Sequence, residues 1–249
     1  MVKYYGIRKK EGFTFMKKGL NAFHLKLIAI IAMFINHLGT GLPIPGDHPY
    51  WFLFKETAGR LTMPIMAFLL VEGIRHTRNW KKYALRLLVF GLISALPFHV
   101  FFNHTSLYLL NNIFFALLMA LLMLVCLEKI SQPVVRILII AVCALISAKS
   151  DWPYTVVMVT AGFYLIRGRY TKVIIPLFLA SLAWLIYLLH LNFGLTHSLT
   201  MFGFMLCAPL LLAYNGERGP SNAVIKWSFY VFYPVHLLFI MLLRAWLHL

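Results

Sequence analysis

Residues 25–42 read Leu25-Lys26-Leu27-Ile28-Ala29-Ile30-Ile31-Ala32-Met33-Phe34-Ile35-Asn36-His37-Leu38-Gly39-Thr40-Gly41-Leu42. A helix rises about 1.5 Å per residue, so a run of roughly twenty mostly apolar residues is long enough to cross a hydrocarbon layer. The run lacks the strict alternation of a strand and reads as a membrane helix. Asn36-His37 is out of keeping with it. A polar side chain at membrane depth costs free energy unless it is paired, so an ionisable one there is a candidate functional group. Arg60 and His236 recur in the same way inside other apolar runs.

The remainder of the chain agrees. Of 249 residues, 61% are hydrophobic and 12% charged, too little polar surface for a soluble domain of this size. The class is an all-α polytopic membrane protein, in which lipid solvates the exterior and helices satisfy the backbone. Apolar runs predict about nine transmembrane helices, near 20–42, 52–74, 83–102, 109–128, 133–149, 153–167, 172–191, 198–214 and 226–247, the sixth being short. They form one domain, 20–249, behind a basic arm, 1–19; no repeat, low-complexity stretch or second domain interrupts them.

The net charge of +16 would suggest nucleic acid in a soluble protein, but here the basic residues fall between apolar runs. Lys3, Arg8, Lys9, Lys10, Lys17 and Lys18 precede the first run. Arg75, Arg78, Lys81, Lys82 and Arg86 follow the second, and Lys129, Arg136, Arg167, Arg169, Lys172, Arg218 and Lys226 fall in later segments on the same side. The positive-inside rule makes that side cytoplasmic. The N-terminus is then cytoplasmic, and an odd number of spans makes the C-terminus extracytoplasmic. Membrane lipids are expected partners, with some basic residues on anionic headgroups; nucleic acid is not. The first run is too long for a typical signal-peptide core and is expected to remain as a span.

Depth along the helices brings candidates together. His37 lies six residues before Pro43, roughly 9 Å below the outer end, and Arg60 lies roughly 12 Å below it, eight residues after Phe52. His236 lies ten residues beyond Lys226, roughly 15 Å from the opposite end. The three are expected to share one cavity in the outer half of the membrane. His suits acid–base chemistry near neutrality, and Arg60 suits a carboxylate, phosphate or oxyanion. The structural alternatives are a His37 bonded to a backbone carbonyl, an Arg60 ion pair between helices, and a His236 on carbonyls freed by Pro234. Glu72, Arg75 and His76 fall on one helical face near the cytoplasmic end. With Arg78 they are either a boundary ion pair or one edge of an entry site for an anionic cofactor. Asn111 and Asn112 either cap the fourth span or line the cavity, and Asp151, before Trp152-Pro153, reads as a helix N-cap.

Several chemistries are excluded. There is no P-loop, GxSxG or HExxH motif. Acidic residues are too few for a metal cage or a two-carboxylate mechanism, and a proton-driven transporter would need more intramembrane carboxylates. Cys126, Cys143 and Cys207 sit in apolar runs without metal or redox spacing and read as packing residues.

Six segments, taken in order, carry a resemblance: Leu25–Gly39; Gly59-Arg60-Leu61-Thr62-Met63-Pro64 through Glu72-Gly73 to Asn79; Asn111-Asn112-Ile113-Phe114-Phe115; Asp151-Trp152; Tyr214-Asn215-Gly216-Glu217-Arg218-Gly219; and Phe232-Tyr233-Pro234-Val235-His236. Over residues 20–249 the chain resembles the TraX family of bacterial membrane proteins. The family's named activity is acetylation of a pilin N-terminus, and it is similar to multispanning acyltransferases that modify extracytoplasmic carbohydrates. The resemblance implies acetyl-CoA or another acyl-CoA as donor from the cytoplasm, no metal, and an extracytoplasmic amine or hydroxyl acceptor. It implies His37 as base, Arg60 and His236 as pocket partners, and a bacterial inner-membrane location. Family members often carry Asp where this chain has Asn36, which can hydrogen-bond an imidazole but cannot polarise it as a carboxylate does. The departure points to a weaker base, another partner such as Asp151, or lost catalysis. A non-catalytic transporter or assembly factor is the alternative expectation.

Overall fold

The structure is a computed structural model and describes residues 18–42, 48–77, 79–103 and 108–248. The basic arm before Lys18 and Arg78 lie outside the described residues. Helix α1 (Ala22–Gly41) starts on a reciprocal cap: the Asn21 side chain accepts from the His24 N–H at 3.0 Å, and His24 Nδ1 accepts from the Asn21 N–H at 3.4 Å. There follow α2 (Pro49–Gly59), α3 (Thr62–His76), α4 (Trp80–Phe101), α5 (Ile113–Lys129), α6 (Pro133–Ile146), α7 (Thr155–Leu165), α8 (Thr171–His190), α9 (Leu195–Leu199), α10 (Cys207–Leu212) and α11 (Ala223–Trp246). Short 3₁₀ segments, Ser147–Lys149 and Thr200–Leu206, extend α6 and join α9 to α10. Pro49 and Pro133 open α2 and α6, where a missing N–H costs nothing.

Every apolar run of the sequence contains helix, and the chain is an all-helical, multi-pass membrane protein. Among the described residues, six helical stretches are long and apolar enough to cross a membrane: Ala22–Gly41, Pro49–His76, Trp80–Phe101, Thr171–His190, Leu195–Leu212 and Ala223–Trp246. The helices α5, α6 and α7 are shorter, at 17, 14 and 11 residues. Two expected spans are interrupted. The second breaks at Arg60-Leu61, between α2 and α3. The eighth passes through the 3₁₀ segment Thr200–Leu206, which lies against α2. Gly203 permits that approach, because a Cβ there would meet the Thr57 carbonyl oxygen at 2.9 Å.

The bundle is apolar on both its inside and its outside. Helix α5 is enclosed, with Phe115, Ala116, Ala120, Leu121, Met123 and Leu124 nearly inaccessible. Around it, Val134, Ile137, Leu138, Val142 and Leu145 on α6 and Val235, Phe239 and Leu242 on α11 face outward. In water such a surface would drive association; in lipid it is the solvated face. One end of the bundle is tied by Leu20 N–H to the Ala213 carbonyl (2.9 Å) and Asn215 N–H to the Leu20 carbonyl (2.8 Å). At the other end the Asp151 N–H reaches the Asn111 carbonyl (2.9 Å) and the Ser150 hydroxyl the Leu110 carbonyl (2.8 Å).

Candidate active site

Successive residues on α1 diverge by about 100°, so Asn36 and His37 serve different neighbours. Asn36 turns to α2: its Nδ2 donates to the Lys55 carbonyl at 3.1 Å, and its side chain packs where a Cβ on Gly59 would stand. His37 turns to α11. Its Nδ1 lies 2.7 Å from His236 Nε2, and the two rings are only 8° out of parallel. The second ring nitrogen of His236, Nδ1, lies 2.9 Å from the Phe232 carbonyl oxygen one turn earlier.

This geometry orders the protons. A carbonyl oxygen can only accept, so His236 Nδ1 carries hydrogen and, in the neutral ring, Nε2 is the acceptor. His37 must then donate from Nδ1, which places its lone pair on Nε2. Among the described residues nothing bonds that Nε2. The His37 ring sits against Phe101 (5.6 Å between centroids) and edge-on to Phe102 (5.5 Å), with 7% of the residue exposed. The pair is therefore a buried, directionally ordered imidazole relay whose terminal lone pair lies on His37 Nε2.

Arg60 does not join it. Where His37 was expected to meet Arg60 across α1 and α2, the residue of α1 that faces α2 is Asn36. Arg60 occupies the break after α2, bonds Glu56 one turn back (Nη2–Oε2, 2.7 Å) and stacks its guanidinium on Trp152 (5.1 Å). Its Nε is sealed from solvent and has no hydrogen-bond partner among the described residues. Lys55 adds a second cation to Glu56, at 3.3 Å. Arg60 forms one wall of a cavity of about 680 Å³, whose other walls include Asn111, Asp151, Trp152, Trp184 and Phe102. Phe102 touches both the cavity and His37, so the relay lies one aromatic ring behind the cavity.

Asp151 belongs to the cavity and not to a helix cap. Helix α7 starts four residues later, at Thr155, after Trp152 (φ 55°) and Tyr154 (φ 58°) both take left-handed backbone. Such a conformation is disfavoured for bulky residues, and especially for Trp152, which precedes proline. The strain lets the loop project Asp151 and Trp152 inward. Burial pushes the Asp151 carboxyl up to about 7, opposed in part by the Trp152 N–H and the Arg60 charge. Both functions expected of the asparagines are present. Asn112 caps α5 by accepting from the Phe114 N–H (3.2 Å), while Asn111 lines the cavity and donates to the Ala95 carbonyl (3.0 Å).

At the opposite end, Glu72 is buried and bonds Arg75 (2.8 Å) and, from α8, Lys172 (3.4 Å). His76 is exposed at the end of α3. Cys207 packs its thiol on the Leu61 carbonyl (3.5 Å), as a small residue at a helix crossing does. Glu56, Lys172 and Trp184 were not legible as site residues. Glu56 alone left a signal, the i,i+4 spacing to Arg60; the others needed the packing of distant segments.

A model of the TraX protein family matches residues 22–244. A probable fimbrial assembly protein of Dichelobacter nodosus, FimC of serogroup H1, is 32% identical over 239 residues, which cover 87% of this chain and 93% of that protein. No solved structure matches the chain.

Proposed function

The chain belongs to the TraX family, and from that premise we propose that it is an inner-membrane acyltransferase that moves acetyl from acetyl-CoA to an extracytoplasmic amine or hydroxyl. The observation that carries the proposal is the imidazole relay Phe232 carbonyl–His236–His37, which ends in a lone pair one aromatic ring, Phe102, behind a large cavity that holds Arg60, Asn111 and Asp151 among aromatic walls. The reading takes nine spans, with the start of α1 in the cytoplasm and the cavity on the outer side, as the distribution of basic residues favours.

The acceptor enters the cavity between Trp152, Trp184 and Arg60, and Phe102 swings aside to admit its nucleophile to His37. His37 Nε2 takes the proton of the acceptor N–H or O–H as that atom attacks the thioester carbonyl. Arg60, through its Nε, stabilises the oxyanion; Asn112, expected to share that role, has its amide N–H groups committed to the Gly91 carbonyl and Asn111. Collapse breaks the C–S bond, and the proton passes from His37 to the departing CoA sulfur, leaving acetylated acceptor and CoA thiol. His236 positions the ring, a role that a carboxylate at position 36 could not fill here, because that position faces Lys55. On the cytoplasmic side Glu72 takes up Arg75 and Lys172, so the donor's phosphates fall to the exposed Lys81 and Lys82, with Arg75 and His76 at the margin.

A second reading has support in the relative's description as a probable fimbrial assembly protein. In it the cavity holds a pilin-like segment without turnover, and the chain serves assembly. Incubating purified protein with labelled acetyl-CoA and candidate amine and hydroxyl acceptors separates the two. Transfer that disappears in His37→Ala supports the enzyme. Full activity in that variant rules out the mechanism, and binding without transfer by the wild-type protein favours the assembly reading.

A further inference from the structure

Ion pairing is uneven across the molecule. Among the described residues, Lys55, Arg60, Arg75 and Lys172 each have a carboxylate, supplied by Glu56 or Glu72. Where α1 and α11 begin, cations gather with no carboxylate among the described residues to neutralise them. A pocket of about 30 Å³ opens there, lined by Lys26, Arg218, Lys226, Ser221 and Phe229 among others, and no acidic residue among the described residues lines it. Lys26 lies one turn inside α1, half-buried, its ammonium 5.3 Å from the Phe229 ring centre. Arg218 is close enough to repel it. Glu217, beside Arg218 in the chain, bonds the Asn215 side chain at 3.2 Å and is not among the lining residues.

Positive-inside bias explains why this end is basic. It does not explain why three cations converge on one concavity, where like charges raise one another's free energy. The N-terminus of α11 opens onto the same pocket through Ser221 and Ile225. Asn222 caps one N–H, that of Ile225, at 2.8 Å, and the earlier N–H groups of the first turn have no intrahelical partner. The size fits a small group: a water needs about 10–15 Å³ on this scale, so the pocket has room for one phosphate, whose ester substituents would extend through its open mouth.

We propose that this pocket is a phosphate-binding site, in which Lys26, Arg218 and Lys226 grip one phosphate mono- or diester against the α11 N-terminus, with the Ser221 hydroxyl as a further donor. Its chemistry suits the headgroup of an anionic phospholipid or a phosphate of a soluble ligand such as CoA. The site is independent of whether His37 catalyses anything.

The test uses the full chain in two arms. In one, native mass spectrometry measures retention of phosphatidylglycerol against phosphatidylcholine after delipidation. In the other, equilibrium dialysis measures binding of CoA. The double variant Arg218→Gln/Lys226→Gln and, separately, Lys26→Gln are expected to lose binding about tenfold or more in one arm, which identifies the source of the phosphate. A control with the same charge removed from exposed positions, Lys129→Gln/Arg167→Gln, is expected to keep it. Absence of binding in both arms, retention in the pocket variants, or equal loss in the control overturns the proposal.

Discussion

His37 Nδ1 and His236 Nε2 share one hydrogen bond of 2.7 Å, and the Phe232 carbonyl, 2.9 Å from His236 Nδ1, sets its direction. The two residues are 199 positions apart, yet the carbonyl of one helix decides which nitrogen is basic on another.

His37→Ala is expected to lower acetyl transfer by about 10²–10⁴-fold, the usual contribution of a general base. His236 acts through His37, so its variants should differ from one another. His236→Gln, whose side-chain oxygen can still accept from His37, should keep more activity than His236→Ala. The pH–rate profile of the alanine variant should also shift, which loss of packing alone would not produce. Steady-state rates from pH 5 to 9, with elution profile and thermal unfolding as folding controls, check this.

The cavity offers an independent test. Ala148 lines its wall, away from the relay. Ala148→Trp should fill much of the space and raise the acceptor KM or abolish transfer, while leaving thermal stability near that of the parent. Unchanged kinetics with all acceptors would place the reaction elsewhere.

Asp151 makes stability depend on pH. Its ordinary value is 3.8, and the fold raises it to about 7. A carboxyl whose folded value is raised stabilises the fold below its unfolded value, and that contribution is lost as pH rises through the folded one. Stability should therefore decline between about pH 4 and 7 for this group. Asp151→Asn should flatten that decline, gaining on the parent at pH 8 more than at pH 4. Thermal unfolding in detergent across that range checks the sign.

Removing the Glu72 carboxylate should be costly. Glu72→Gln removes the carboxylate that Lys172 bonds inside the bundle, and breaking a buried pair costs about 3–5 kcal/mol. The double variant Glu72→Leu/Lys172→Met should recover most of that loss, as judged by denaturant or thermal midpoints.

Two glycines should respond in opposite directions. Gly203→Ala forces a Cβ against the Thr57 carbonyl and Arg60 side chain and should cost about 1–3 kcal/mol. Gly73→Ala, inside α3 with only Tyr83 nearby at 3.7 Å, should stabilise by about 0.5–1 kcal/mol. Melting temperatures of the two variants, side by side, check the contrast.

The sequence by itself determined that this is a helical membrane protein and where its helices run, because a span is a local property: twenty apolar residues satisfy their own backbone whatever lies beside them. It also singled out His37, Arg60 and His236, since a polar group in such a run stands out by its cost, whereas Asp151, in a turn, read first as a helix cap. Only the tertiary structure decided their partners. Depth placed His37 and Arg60 at one level, but level does not specify direction around a helix. A turn of about 100° sent Asn36 to Lys55 and His37 to His236. The break after Gly59 and the left-handed backbone at Trp152 and Tyr154 brought Arg60 and Asp151 to a second cluster. Those contacts join segments far apart in the chain, and the angle at which two helices pack is set by the side chains of both.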